Sequence, residues 1–202
     1  MRAGEKLKPE EKYEIAYKNP DYMKASVGMA YTSWVLARLK FDSVLDVGCG
    51  CGYALLNFIL HRKRVQGVEV CQHLLDTTLR TYAVAGIVQQ ARIQSLPFGE
   101  NSFDLVYCTD VLEHIPEEDI PQAVSELVRV SKKYILVSVC TIPSQCMPEL
   151  KLHETVKPKE WWDEIFGRYR IKLAEEPAVV NSQQYEYRVR AGDGYASLYI
   201  KY

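Results

Sequence analysis

Long apolar runs are missing from this 202-residue chain: no stretch approaches the roughly 20 residues a membrane span requires. The first residues also lack the apolar core of a secretory leader, so the expected setting is cytoplasmic, with no membrane partner. An excess of charge of either sign is absent too. With 25 basic and 26 acidic residues the net charge is −1, which disfavours nucleic acid as a partner because binding phosphates calls for a basic stripe. The few bases near the start, Arg2, Lys6 and Lys8, are offset by Glu5, Glu10 and Glu11. Six cysteines occur (Cys49, Cys51, Cys71, Cys108, Cys140 and Cys146), yet none has the CxxC or CxxH spacing of a zinc or redox site. No metal is therefore expected, and thiols inside apolar runs read as small buried hydrophobes. Internal repeats and low-complexity linkers are lacking as well. The length suits one well-buried domain over residues 1–202.

What is present, from Ser43 onward, is an alternation of short apolar runs with amphipathic segments, the pattern of a parallel sheet wrapped by helices. Strands are expected at 43–47, 64–69, 87–93, 102–108 and 133–139, with helices at 53–61 and 72–85. After Pro116, Ile120, Ala123, Val124, Leu127 and Val128 recur at helical spacing behind Glu117, Glu118 and Asp119, acids that suit a helix start. Residues 43–140 form the expected core. Beyond it, 141–202 reads as a loop, a segment carrying Trp161-Trp162, and strands at 169–174, 185–190 and 195–202, the last two joined by a hairpin turn at 191–194. An antiparallel edge on an otherwise parallel sheet follows. Residues 1–40 read as a helical cap, two helices split by Asn19-Pro20 and rich in tyrosine (Tyr13, Tyr17, Tyr22, Tyr31).

The sharpest chemical signal is Val44-Leu-Asp46-Val-Gly48-Cys49-Gly50-Cys-Gly52 at a strand-to-helix junction. Glycines there let backbone approach a ligand closely. The spacing is G-x-G-x-G. A dinucleotide fingerprint needs glycine where Tyr53 stands, which disfavours a nicotinamide or flavin enzyme. An acid just before the turn suits an amino-acid ligand, whose ammonium needs an anion. Glu69, ending the second strand about twenty residues on, is positioned to accept the hydroxyls of a ribose.

These residues, with Leu96-Pro-Phe98, Asn101-Ser-Phe-Asp104 and Asp110-Val-Leu-Glu-His-Ile-Pro116, make the chain resemble class I S-adenosylmethionine-dependent methyltransferases of the "type 11" group over residues 43–140. The resemblance implies an α/β, Rossmann-like fold: a seven-stranded, mostly parallel sheet with helices on both faces and an antiparallel C-terminal edge. It also implies S-adenosyl-L-methionine as cofactor. Carried over, Asp46 and the turn Gly48, Cys49, Gly50 and Gly52 hold the methionine part, while Glu69 holds the ribose and Val70 beside it belongs to the cofactor-binding set. The adenine contact falls on Arg92 and Ile93. Arg92 stands where the family usually has an aspartate, so it could stack on the base or face solvent. The backbone of Cys108, Thr109 and Asp110 flanks the sulfonium.

Methyl transfer is an in-line displacement whose donor brings its own driving force, so the protein chiefly positions the acceptor. A hydroxyl or ammonium acceptor gains from a base within reach, and the candidates are His114, Asp110 and His153. Each histidine also has a plain structural reading. Tyr13 or Tyr17 could close over the cofactor as a lid, whereas the tryptophans read as packing. The expected activity is methyl transfer to oxygen or nitrogen of a small molecule. Alternatives are a protein or RNA acceptor and a cofactor-binding regulator without activity. The Asn-Pro-Pro-Tyr-like tetrapeptide of amide and base amine methyltransferases is absent, that place reading Cys-Thr-Asp-Val. The edge strands and aromatic cap could support a homodimer.

Overall fold

The computed structural model describes residues 7–24, 29–175, 177 and 194–202. In chain order the helices and strands are α1 (Pro9–Ala16), α2 (Pro20–Lys24), α3 (Ala30–Arg38), β1 (Ser43–Val47), α4 (Tyr53–Leu60), β2 (Arg64–Glu69), α5 (Gln72–Asp76), α6 (Arg80–Val84), β3 (Val88–Gln90), β4 (Phe103–Thr109), α7 (Ile120–Val130), β5 (Ser131–Cys140), α8 (Lys159–Phe166), β6 (Ile171–Glu175) and β7 (Gly194–Lys201).

The strands form one sheet in the order β3-β2-β1-β4-β5-β7-β6. The first five run parallel, and β7 pairs antiparallel with both β5 and β6. β1 is buried along its whole length, as an apolar strand covered on both faces must be. On one face Val106, Ile135 and Val137 pack under α7 and under Trp162 and Phe166 of α8. On the other, Val44, Leu105 and Leu136 meet Val35, Leu55, Phe58 and Leu74. Because β1 neighbours both β2 and β4, the chain leaves this pair in opposite directions. Such a switch point opens a crevice outside the carboxyl ends of the two strands.

Two expectations change. Residues 72–85 form two short helices, not one. Thr77 turns out of helical geometry, and its Oγ1 donates to the His73 carbonyl at 2.6 Å. That local bond competes with the helical ladder, and the break lets Leu79 bury completely. The cap holds three helices instead of two. The expected strand at 185–190 lies outside the described residues, as do 191–193 of the expected turn, Gly194 opening β7; Arg2, Glu5 and Lys6 lie outside them too. None of the six cysteines is disulfide-bonded. No helix among the described residues is long and apolar enough to cross a membrane.

Candidate functional site

At the switch point β1 gives way to the glycine turn. Gly48 has φ +70°, and a Cβ there would sit 2.5 Å from Val111 Cγ2, so neither backbone geometry nor space admits a side chain. Gly50, at φ +51°, lies under the Tyr17 hydroxyl, 3.1 Å from where its Cβ would be. The turn is held from β2. Glu69 Oε2 accepts the Gly50 N–H at 2.9 Å, and its Oε1 accepts those of Val70 at 2.9 Å and Cys71 at 3.0 Å. Burial pushes the Glu69 carboxyl up while these N–H groups pull it back. A carboxylate offers about four acceptor directions. With three taken, Glu69 keeps room for one further hydroxyl, where the sequence suggested a free carboxylate able to take two.

Above the turn lies a cleft of about 870 Å³, its open mouth included. Gly48, Glu69 and Val70 form its floor, Arg92 and Ile93 one wall, and Asp110, Val111 and His114 the other. Tyr13, Tyr17 and Tyr22 roof it from the cap. The tyrosine rings touch one another and His114: Tyr13 meets the imidazole edge-on at 5.5 Å between centroids. Arg92 neither stacks across the cleft nor stands free in solvent. Its guanidinium pairs with Glu10 of α1 at the mouth, latching the cap to the loop after β3.

Three buried acids in and around the cleft each keep one oxygen without a hydrogen-bond partner among the described residues: Oδ2 of Asp46, Oδ2 of Asp110 and Oε2 of Glu113. The Asp46 carboxyl is pushed up to about 8, by burial first and by Glu69 second. Asp110 sits just past β4 in a left-handed conformation, φ +53°, which aspartate tolerates better than most side chains. Its N–H donates to the Ser138 carbonyl at 3.0 Å, and Ser138 Oγ donates to its Oδ1 at 3.0 Å. Burial pushes Asp110 and Glu113 up, and the Asp110 charge further opposes ionisation of Glu113. Glu113 Oε1 accepts the Cys140 N–H at 3.0 Å.

The two histidines are held neutral. His114 Nδ1 meets the Leu152 carbonyl at 3.0 Å, and burial followed by the nearby His153 pushes its pKa down to about 3. His153 Nδ1 meets the Ile142 carbonyl at 2.6 Å, and burial lowers it as well. Their rings stack edge-on with centroids 4.8 Å apart.

The structure thus gathers Gly48, Glu69, Val70, Arg92, Ile93, Asp110, His114 and Tyr13 around one cleft. Cys49 and Cys108 turn their side chains into the core instead. Thr109 ends β4. Gly50, Gly52 and Asp46 are not among the residues lining the cleft, and His153 reaches it only through its ring contact with His114. Sequence reasoning missed Glu113 and Glu10. The Asp-x-x-Glu-His spacing of 110–114 would have put Asp110, Glu113 and His114 on one helical turn, the one signal available for the former.

An orphaned carboxylate under a glycine turn, one free acceptor direction on Glu69 and an apolar wall at Val70 and Ile93 fit an amino-acid nucleoside such as S-adenosylmethionine. Comparison with known proteins agrees. Residues 45–135 match the family of the methyltransferase domain. An uncharacterized methyltransferase of Schizosaccharomyces pombe is 31% identical over 138 residues, 58% of this chain and 49% of that protein. The chain spans about half or less of the curated relatives it matches. Among solved structures, magnesium protoporphyrin IX methyltransferase of Synechocystis with bound S-adenosylmethionine superposes over all of both chains with a TM-score of 0.70 at 16% identity. A Haloferax volcanii methyltransferase in complex with the Trm112 activator covers 96% of this chain and 98% of its own, with a TM-score of 0.73 at 15% identity. At such identities the likeness is one of fold.

Proposed function

Residues 45–135 form a methyltransferase domain of the class I, S-adenosylmethionine-dependent type, and from that premise we propose that the chain methylates oxygen or nitrogen of a small-molecule acceptor held in the roofed cleft. The observation that carries this reading is the buried Asp46 carboxyl, unpartnered among the described residues, just before the Gly48 turn. S-adenosylmethionine, when bound, supplies a methyl group on a positively charged sulfur that leaves readily.

The residues of this chain do the rest. Asp46 balances the ammonium of the cofactor, and the Gly48–Gly52 backbone gives way to its methionine part. Glu69 accepts one ribose hydroxyl. Val70 and Ile93 present apolar surface to the adenine, while Arg92 holds the cap down through Glu10. Tyr13 and Tyr17 exclude water from the reacting atoms. Asp110 is the base best suited to the acceptor proton, since burial raises its basicity above that of an exposed aspartate. His114, lowered to about 3, takes up protons poorly and acts by position.

A small acceptor is supported by the closed, aromatic roof and the near-zero net charge, and by the porphyrin methyltransferase of like fold. The test is incubation with methyl-labelled S-adenosylmethionine and a cell extract split into small-molecule and macromolecular fractions. Label is expected in the small-molecule fraction. Label confined to protein or RNA overturns the acceptor class. Absence of label in every fraction, with S-adenosylhomocysteine still bound, points to a regulator instead.

A further inference from the structure

We propose that Glu113, His114 and His153 form a binding site for a divalent first-row transition-metal ion at the acceptor side of the cleft. One carboxylate oxygen of Glu113 and one nitrogen from each imidazole lie within 4.8 Å of one another. The cluster joins the loop after β4 to the segment after β5, so the spacing rules for metal motifs do not find it.

Three independent features support a ligand set over incidental packing. First, each group is anchored through its other polar atom. Glu113 Oε1 takes the Cys140 N–H, and Nδ1 of each histidine meets a backbone carbonyl. A carbonyl only accepts, so Nδ1 of His153 carries the proton and its Nε2 keeps the lone pair, while His114 lies against the carbonyls of both Leu152 and Asp110; outer contacts of this kind orient metal-bound imidazoles. Second, Glu113 is wholly buried and its Oε2 has no partner among the described residues. An unpaired buried carboxylate is costly, and a cation relieves that cost. Third, the donor types fit. Glu113 contributes a carboxylate oxygen and each histidine an imidazole nitrogen, donors that a divalent first-row ion accepts. Lys12, the nearby cation, is engaged by Glu154 and the Lys151 carbonyl.

Two imidazoles and one carboxylate suit Zn²⁺, Mn²⁺ or Fe²⁺ better than the all-oxygen preference of Mg²⁺ or Ca²⁺. His114 borders the cleft, so an open coordination position there would take an oxygen of the acceptor; that clause alone rests on the methyl-transfer reading.

The experiment is calorimetric titration of chelator-treated protein with Zn²⁺, Mn²⁺ and Mg²⁺, alongside S-adenosylhomocysteine as a separate ligand. One equivalent of Zn²⁺ or Mn²⁺ per chain is expected, with Mg²⁺ at least about tenfold weaker. Glu113→Gln and His153→Ala should each weaken Zn²⁺ and Mn²⁺ at least about tenfold. If Glu113→Gln fails to fold, the partly exposed His153 still decides. Absence of Zn²⁺ and Mn²⁺ binding, or binding unchanged in the folded variants, overturns the site. A chain that binds metal but not S-adenosylhomocysteine would overturn the cofactor reading and leave the metal site standing.

Discussion

Asp46 holds a carboxyl pushed up to about 8, chiefly by burial, with Oδ2 facing no partner among the described residues. Between its ordinary value and 8 the folded chain keeps a proton that the unfolded chain has lost, so this group's contribution to stability falls as pH rises through that window. Cofactor binding has the opposite sign. Pairing with an ammonium requires the charged carboxylate, so binding at neutral pH releases about one proton. Affinity for S-adenosylhomocysteine should therefore tighten between pH 6 and 7.5 by up to about tenfold per pH unit, and Asp46→Asn should flatten the slope. Calorimetry in buffers of differing ionisation enthalpy reads both quantities, and a wild-type affinity indifferent to pH would remove Asp46 from the site. The placement of Asp46, Gly48 and Glu69 at strand ends was legible in the sequence, because the strand–turn–helix pattern fixes it. Glu113 was not: its significance lies in burial and an empty acceptor, and neither exists before the chain has folded.

At the scale of elements, α1 is the piece that turns an open crevice into a closed cleft. Its acidic and aromatic residues were visible in the sequence, but not the bonds that dock it. Lys12, buried on α1, reaches Glu154 and the Lys151 carbonyl, partners about 140 residues away that no local pattern reveals. Removing one member of a buried pair leaves the other charge stranded. Lys12→Met should weaken the docking of α1 by about 2–3 kcal/mol, less than full burial would give because Glu154 keeps some exposure. The sheet does not depend on α1, so the loss should appear as local opening. Amide exchange is expected to accelerate over residues 9–16 and to stay unchanged in β1, β4 and β5; uniform acceleration would show instead that the cap is part of the global folding unit. The break between α5 and α6 escaped the sequence for a related reason. The apolar spacing of 72–85 is helical, and only the burial of Leu79 against the glycine turn selects the interruption.

For the whole molecule, the strand alternation sufficed to predict a parallel sheet, because strands buried on both faces leave continuous apolar runs, while the antiparallel edge was expected from the hairpin turn before β7. The order β3-β2-β1-β4-β5-β7-β6 then dictates where a ligand goes, since the crevice opens only where the winding reverses. A ligand seated there bridges loops from β1, β2, β3 and β4 and is absent from the unfolded chain, so it must stabilise the fold by mass action. At about 100 times its dissociation constant the gain is about 2.7 kcal/mol. For a chain of this size that corresponds to a rise in Tm of about 5–11 °C. S-adenosylhomocysteine should produce that rise in a thermal melt, while NAD at equal concentration should leave Tm in place, because Tyr53 stands where a pyrophosphate-binding turn requires glycine. A shift with NAD and none with S-adenosylhomocysteine would mean that the crevice at the switch point recognises a pyrophosphate, and that the acid below the Gly48 turn has some other counter-ion.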